Sequence, residues 1–594
     1  MTKKNKKIQW DLLPGMFMMI FLPLVAKGQK VQVDLGKYSW FPDGDFQYDF
    51  FMYWKSIVFL ILTAGMILVL IDRCVIRGFS VKQWKYFMPL FVYAGLVILS
   101  AVLSIDKTLS LKGIWQQYES MWVLLGYIVV VFYCAQVVET MKDVRIMLWS
   151  AAVGTVLPGI AGITQIAGKD FFYTGVGKWL LSAGMDKDAK EAMHYLYSGS
   201  GNTKAYMTLY TPDYAGVYIV LILPIIVVLT VTAVSKAAKI FGCILSAILC
   251  VCLYGSGSKT GLIVSGIMAI TAAVFLQMRK NKKRFYTGLG FTFVIVFLII
   301  TGCDLASGHT VINSIKESFH RETYDLESIQ PGKNGVTVNY KNNTLELIPE
   351  TTEMGQTLTG ILNQKDNLLA VWDTESQCFR FKDTVYEELE FDAYVQDETD
   401  YIIIRKGELT WNFLKEQDSE KYVYLNQYGK DDEIVNAPAI LKGYERAFSD
   451  RGYIWGRTIP LIAKHLLWGS GPDTFAVEFP QTDYVMKANT SLNMYQQLPT
   501  KAHNMYFQSA LQTGVLSALC LIVFWMRYMI RFIKKFRKNF RQEKNRFCNL
   551  AGLGIFLGIT GFLLMGIMND SNLATAPVFW CLLGTGIAVE FFHN

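Results

Sequence analysis

KAHNMYFQSALQTGVL, residues 501–516, changes character at Gly514. Before the glycine the side chains are polar and capable of chemistry, with His503, Asn504 and Gln508 among them. After it the chain turns apolar and stays so through a segment centred near Leu519. Roughly 20 apolar residues cross a bilayer, so the boundary reads as a chain re-entering a membrane from its surface. Just upstream, SDRGYIWGRTIPLIAKHLLWGSGPDTF (residues 449–475) supplies Arg451, Arg457 and Asp473. Arginines close to a histidine at a membrane surface suit chemistry on an anionic group carried by a lipid.

The bulk properties agree with a membrane setting. Of 594 residues, 52% are hydrophobic and 14% aromatic, and the mean hydropathy is +0.27. These values exceed those of a soluble domain. The net charge of +8 is no nucleic-acid signal, because the basic residues cluster in short loops between apolar runs. Most of the ten cysteines lie within apolar runs, and none form a pair with metal-ligand spacing, so they read as packing residues.

About twelve apolar runs are long enough to span a bilayer. They centre near Met19, Leu62, Val97, Val130, Val156, Leu223, Leu249, Ala269, Val296, Leu519, Leu557 and Leu583. The run after MTKKNKK lacks a small-residue cleavage site and is expected to be a first span. The basic loops Met1–Lys7, Arg73–Lys85, Lys142–Arg145, Lys236–Lys239, Arg279–Arg284 and Arg527–Arg546 all fall on one side if the amino terminus is cytoplasmic. This predicts a multi-pass plasma-membrane protein with both termini inside. The expected divisions are a membrane region of about nine spans over 1–303 and an extracellular β-rich insert over 304–443. An extracellular catalytic loop over 444–506 and a membrane region of about three spans over 507–594 follow. Few ionisable residues fall mid-span, which argues against an ion-coupled transporter.

Within the insert, VTVNYKNNTLELI alternates apolar and polar residues on both sides of a turn at Lys341–Asn343, and later runs repeat the alternation. A small β-sandwich or β-roll is expected. It would serve as a spacer or contact module, or would touch carbohydrate through Trp372, Trp411 and the tyrosines. From Tyr444 to Lys501 the period becomes helical, with Ile459, Ile462, Ala463 and Leu466 in step and Gly469 as a stop. An amphipathic helix lying on the outer membrane face is expected there.

Outside the membrane there is no ATP, so a bond formed there draws on the substrate's own energy. A lipid diphosphate sugar fits, because its leaving group is already charged. Such a transfer needs cations for the diphosphate and a base for the acceptor hydroxyl.

HNMYFQSALQTG resembles the signature of the O-antigen ligase and O-antigen polymerase superfamily (WaaL and Wzy type): a histidine and a small polar residue ahead of a glycine opening a late span. His503, Asn504 and Gly514 match it, and Ser517 stands where ligases more often carry glycine, threonine or tyrosine. Residues 449–475 are similar to a second family segment through Ser449, Arg451, Trp455, Gly469, Gly471 and Phe475, with Asp450 in place of glycine. YTPDYAGVYIVLILP (residues 210–224) resembles a third, with Thr211 and Asp213 where asparagines are common. GSGSKTGL (residues 255–262) resembles a fourth, with Lys259 in place of arginine.

The resemblance implies a polytopic all-α bundle of the C-type glycosyltransferase kind carrying the β-rich insert. The implied reaction is metal-independent, inverting transfer of a glycan from an undecaprenyl-diphosphate carrier to an acceptor hydroxyl on a glycan, cell-wall polymer or lipid. It implies His503 as base and Arg451 and Lys259 on the diphosphate. Arg457 is added from its position, with Asn504, Gln508, Gly514, Asp213 and Asp473 supporting. The resemblance implies no cofactor and no metal; Asp186-Lys187-Asp188 has the spacing of a metal-binding pair in other lipid-linked glycosyltransferases. Membrane lipids are expected partners and nucleic acid is not. A Wzy-type polysaccharide polymerase remains open as an alternative. So do a transporter or flippase for lipid-linked glycans and a receptor-like role for the insert.

Overall fold

A computed structural model describes residues 10–277 and 320–592, apart from 34, 43, 45, 188–189, 192–202, 353–354 and 540–545, with scattered single residues between 278 and 319. The expected span near Val296, the basic loops at 1–7 and 279–284, and Asp188 lie outside the described residues.

Among the described residues, eight helices are long and apolar enough to cross a membrane, and three shorter apolar helices accompany them. In chain order the helices are α1 (Leu13–Phe21), α2 (Met52–Ile71), α3 (Met88–Val102), α4 (Lys107–Lys112), α5 (Met121–Val137), α6 (Met141–Gly154) and α7 (Val156–Ile166). There follow α8 (Gly175–Ser182), α9 (Pro212–Thr232), α10 (Lys236–Gly255), α11 (Lys259–Gln277), α12 (Ala447–Lys464), α13 (Phe475–Glu478), α14 (Tyr484–Thr490) and α15 (Leu492–Gln496). The last are α16 (Met505–Thr513), α17 (Val515–Asn539), α18 (Arg546–Met565) and α19 (Ala576–Phe591). The expected span near Val156 is α6 and α7 running on as one length, Met141–Ile166.

Glycines set the closest helix contacts, as small residues do where helices pack without a hydrophobic drive from water. On α18, a Cβ at Gly558 would lie 2.3 Å from the Leu221 carbonyl oxygen of α9, and one at Gly554 3.2 Å from that of Pro224. Pro224 sits inside α9, so the helix carries its irregularity where α18 presses against it. On α19, a Cβ at Gly584 would lie 2.5 Å from the Val131 carbonyl of α5.

The insert is β-rich, as the alternation predicts. After a two-stranded pair, β1 (Gln29–Gln32) and β2 (Phe46–Asp49), near the start of the chain, a five-stranded antiparallel sheet runs in order from β3 (Leu326–Pro331) through β4 (Val336–Tyr340), β5 (Asn343–Thr352) and β6 (Gly355–Leu362) to β7 (Asp366–Leu369). A seven-stranded sheet is built from β8 (Val371–Asp373), β9 (Cys378–Arg380), β10 (Glu390–Gln396), β11 (Thr399–Lys406), β12 (Leu409–Lys415), β13 (Tyr422–Leu425) and β14 (Asp431–Asp432), neighbours in that order. The β4–β5 hairpin turns through Lys341 (φ 49°) and Asn342 (φ 60°), the paired left-handed geometry that matches strand twist. Val336, Val338 and Tyr340 point into the core with Ile402, Ile404 and Phe413.

Trp411 joins that core with no exposure, which removes it from any carbohydrate surface; its place on a buried strand face is a packing role. Trp372 remains 43% exposed. Tyr484 and Val485 of α14 also enter the insert's core. Asp432 accepts hydrogen bonds from the Tyr484 hydroxyl (2.7 Å) and the Ser39 hydroxyl (2.8 Å). The insert is therefore seated on the 444–506 segment and on the 31–50 segment rather than hung from a linker.

The helix read at 444–501 is also placed differently. α12 ends at Lys464, and its buried face is Tyr453, Ile454, Arg457 and Thr458, not the Ile459–Leu466 stripe. It packs against α16 and α14, and Leu466, Leu467 and Trp468 just beyond its end are exposed. The face that is buried inside the protein is thus not the apolar stripe, which is left half-buried to exposed.

Candidate functional site

His503 occupies an enforced backbone position. Its φ is 48°, left-handed for a residue with a Cβ, which costs of order 1 kcal/mol or more. Neighbouring bonds hold it there. The Ala502 N–H donates to Gln508 Oε1 at 2.7 Å, and the Ala502 carbonyl accepts from the Trp455 indole at 2.9 Å. On the other side, Asn504 caps α16, its Oδ1 accepting the N–H groups of Tyr506 and Phe507, each at 3.0 Å. Asn504 and Gln508 thus act on the backbone that presents the imidazole. Trp455, known from sequence only as a motif residue, does the same from α12.

The glycines of the motif serve the same frame. Gly514 has φ 89° and a Cβ there would meet the Leu467 carbonyl at 2.2 Å; at Gly469 (φ 73°) it would meet the Gln512 carbonyl at 2.3 Å. The two segments are laced by Ser470 N–H to Leu511 O (2.8 Å), Gly471 N–H to Gln512 O (2.9 Å) and Val515 N–H to Leu466 O (2.9 Å). Only glycine permits that approach.

The imidazole meets Asp570. Its Nδ1 lies 3.4 Å from Asp570 Oδ2, with the His503 side chain 43% exposed and Asp570 3%. Neither Asp570 carboxylate oxygen makes a hydrogen bond among the described residues, and a protonated His503 would be its ion-pair partner. The turn holding Asp570 is tied to the histidine's own segment by the Met505 N–H, which donates to Gly566 O (2.8 Å) and Asn569 O (3.0 Å). Desolvation lowers the His503 pKa below 6.5; Asp570 opposes this, while Arg451 and Lys501 add to it.

Arg451 reaches the same place. Its Nε donates to Met568 O at 3.0 Å, Nη1 to Phe448 O at 3.1 Å, and Nη2 lies 3.5 Å from Asp213 Oδ2. It follows three residues with left-handed backbone, Phe448, Ser449 and Asp450 (φ 54°, 58° and 64°). Asp450, standing where the family carries glycine, holds that turn by accepting from the Ser491 hydroxyl at 2.7 Å.

Arg457 is not brought there. Six positions on, it leaves the helix well away from Arg451 and is buried, with Nε 3.0 Å from Asp483 and Nη1 3.4 Å from Glu445. Burial raises the Asp483 pKa to about 6, against the pull of Arg457. Lys259 opens α11 and is exposed; the preceding Ser258 packs against Gly216, one turn after Asp213. Asp473 is buried (φ 60°), accepts the Ile114 N–H at 2.8 Å and has its pKa raised to about 7 by burial.

Lys501 and Glu119 also lie around this cluster, and neither was singled out from the sequence. Lys501 donates to the Tyr214 hydroxyl and its ammonium lies 5.0 Å above that ring. Glu119 accepts from Tyr127 and from Ser571, the neighbour of Asp570, each at 2.7 Å. A cavity of about 40 Å³ beneath is lined by Glu119, Met505, Gln508 and Ser571 among others. A lysine two residues before the histidine, and an aspartate in the polar break between the last two apolar runs, were the available signals.

Fold and site together define a multi-pass membrane protein with a histidine–carboxylate pair flanked by cations on the loop leading into a late span. A family model described as O-antigen ligase matches residues 409–522. The match starts in β12, inside the insert, and contains Arg451, Arg457, Asp473, His503, Asn504, Gln508 and Gly514. It supports placing the chain in the O-antigen ligase and polymerase superfamily, as the motifs suggested, and with it a membrane enzyme of glycosyltransferase type. No curated protein matches the chain.

Proposed function

We propose that this chain is an O-antigen ligase-like glycosyltransferase acting at the outer face of the plasma membrane, with both termini cytoplasmic. It moves a glycan from an undecaprenyl-diphosphate carrier to an acceptor hydroxyl. The observation that carries this is the His503–Asp570 pair beside Arg451, within the family-matched segment.

With Nδ1 turned to Asp570, a neutral His503 keeps its proton on that nitrogen, and Nε2 is the free base. As the acceptor oxygen bonds to the anomeric carbon, its proton passes to Nε2 and the carbon–oxygen bond to the diphosphate breaks. The electron pair leaves with the lipid diphosphate, and attack opposite the leaving group inverts the centre. Arg451 and Lys259 hold the diphosphate, Arg451 with part of its fork already anchored on carbonyls. Asp213 positions Arg451; Arg457 holds the loop's interior.

Purified protein in proteoliposomes, given a radiolabelled undecaprenyl-diphosphate glycan and an acceptor, tests this. Product with the inverted anomeric configuration, formed equally in EDTA, is expected. Retained configuration, or loss of turnover in EDTA that is restored by a divalent metal, would overturn the mechanism.

A further inference from the structure

Where the β-rich insert meets the catalytic loop lies a cavity of about 470 Å³. That is within the size of small-molecule sites, ~300–1,000 Å³. Arg321 comes from the strand-free lead into β3, Lys406 from the turn between β11 (Thr399–Lys406) and β12 (Leu409–Lys415), and Arg446 and Asn489 from the catalytic loop. Two carboxylates, Glu322 and Asp325, share the wall, which leaves an excess of positive charge.

The cations are unequally committed. Arg446 is fixed, donating to Thr490 O at 2.7 Å and Asn489 O at 3.1 Å, with Glu322 3.4 Å away. Arg321 and Lys406 have no ion-pair partner among the described residues, and the Lys406 ammonium rests 5.2 Å above the Tyr340 ring. Two unpaired cations on separate elements around a polar hollow suit carboxylate or phosphate groups spaced along a chain.

The cavity wall is also tied to the turn before Arg451. Thr490 is followed by Ser491, whose hydroxyl bonds Asp450, and Asp450 precedes Arg451. The cavity wall and the turn that sets Arg451 are therefore parts of one loop framework.

We infer that this cavity is a subsite for an anionic glycan segment, sugars bearing carboxylate or phosphate, gripped by Arg321 and Lys406. Its role during transfer rests on the proposed function; the binding itself does not.

The full chain in lipid nanodiscs is titrated with a hyaluronan hexasaccharide (carboxylates), a glycerol phosphate oligomer (phosphates) and neutral maltohexaose. Binding of at least one charged probe, weakened tenfold or more in the Arg321→Ala/Lys406→Ala double variant and unchanged in His503→Ala, is expected. Which charged probe binds identifies the anion. Failure of both charged probes, equal binding of maltohexaose, or undiminished binding by a double variant of normal thermal stability would overturn the subsite. If charge-dependent binding holds while His503→Ala still transfers glycan, the transfer mechanism fails and the subsite stands.

Discussion

Asp570 faces Nδ1 of His503 at 3.4 Å across a gap spanned in sequence by two whole membrane helices, α17 and α18. The carboxylate is buried and has no hydrogen bond among the described residues. Its charge bears on the imidazole, as it does on Tyr214 and Glu119, and in the proposed mechanism it sets the tautomer and stabilises the imidazolium.

Replacing Asp570 with Asn keeps the shape and removes the charge. Transfer should fall by about 10²–10⁴-fold with membrane expression unchanged. The pH profile moves as well. His503 is held below 6.5, so the wild-type rate is level near neutrality and declines only on the acid side. Asp570 is the largest influence lifting that pKa, so in Asp570→Asn the residual acid limb moves to lower pH. A limb that moves upward would contradict the pairing.

Arg451 and Arg457 should fail in different ways. Arg451→Ala removes a group facing the site and should cut transfer with near-normal thermal stability. Arg457→Ala strands Glu445 and Asp483 in the interior, at a cost of about 3–5 kcal/mol. It should show as lost folded protein in detergent, with transfer per folded molecule largely kept. Size-exclusion yield alongside rate separates the two.

Asp473 gives a stability test. Its pKa rises from 3.8 to about 7 on folding, so between those values the folded state holds a proton that the unfolded state has released. Wild-type stability therefore falls as pH rises through this window. Asp473→Asn stays neutral and should match wild type near pH 4 but melt higher at pH 8. A constant difference at both pH values would contradict the shift.

Gly514→Ala places a methyl against the Leu467 carbonyl at a left-handed position. We expect a loss of ~2 kcal/mol or more and reduced folded yield. Ser517→Ala, in the next turn, gives up only the 2.6 Å contact with the Thr513 hydroxyl and should keep most of its yield.

What the sequence showed was local. The histidine, its Asn504 cap and the two close-packing glycines lie within short stretches, and the β4–β5 hairpin is written in its Lys341–Asn342 turn. The membrane class follows from hydropathy. Burial by partners distant in the chain was hidden. Arg457 reads like Arg451 until Glu445 and Asp483 close around it, and Trp411 reads as a surface aromatic until both sheets enclose it. Asp570 was missed because a short polar break between spans reads as a connector until the fold brings it back to His503.

In the proposed mechanism His503 takes the acceptor proton in glycan transfer. The direct measurement is surface glycan and the lipid-linked glycan pool in cells carrying His503→Ala at normal membrane expression. We predict loss of surface glycan with full-length lipid-linked chains accumulating; single repeat units accumulating instead would identify a polymerase using the same base. Surface glycan and lipid-linked pools both unchanged would contradict the account and remove His503 from the chemistry.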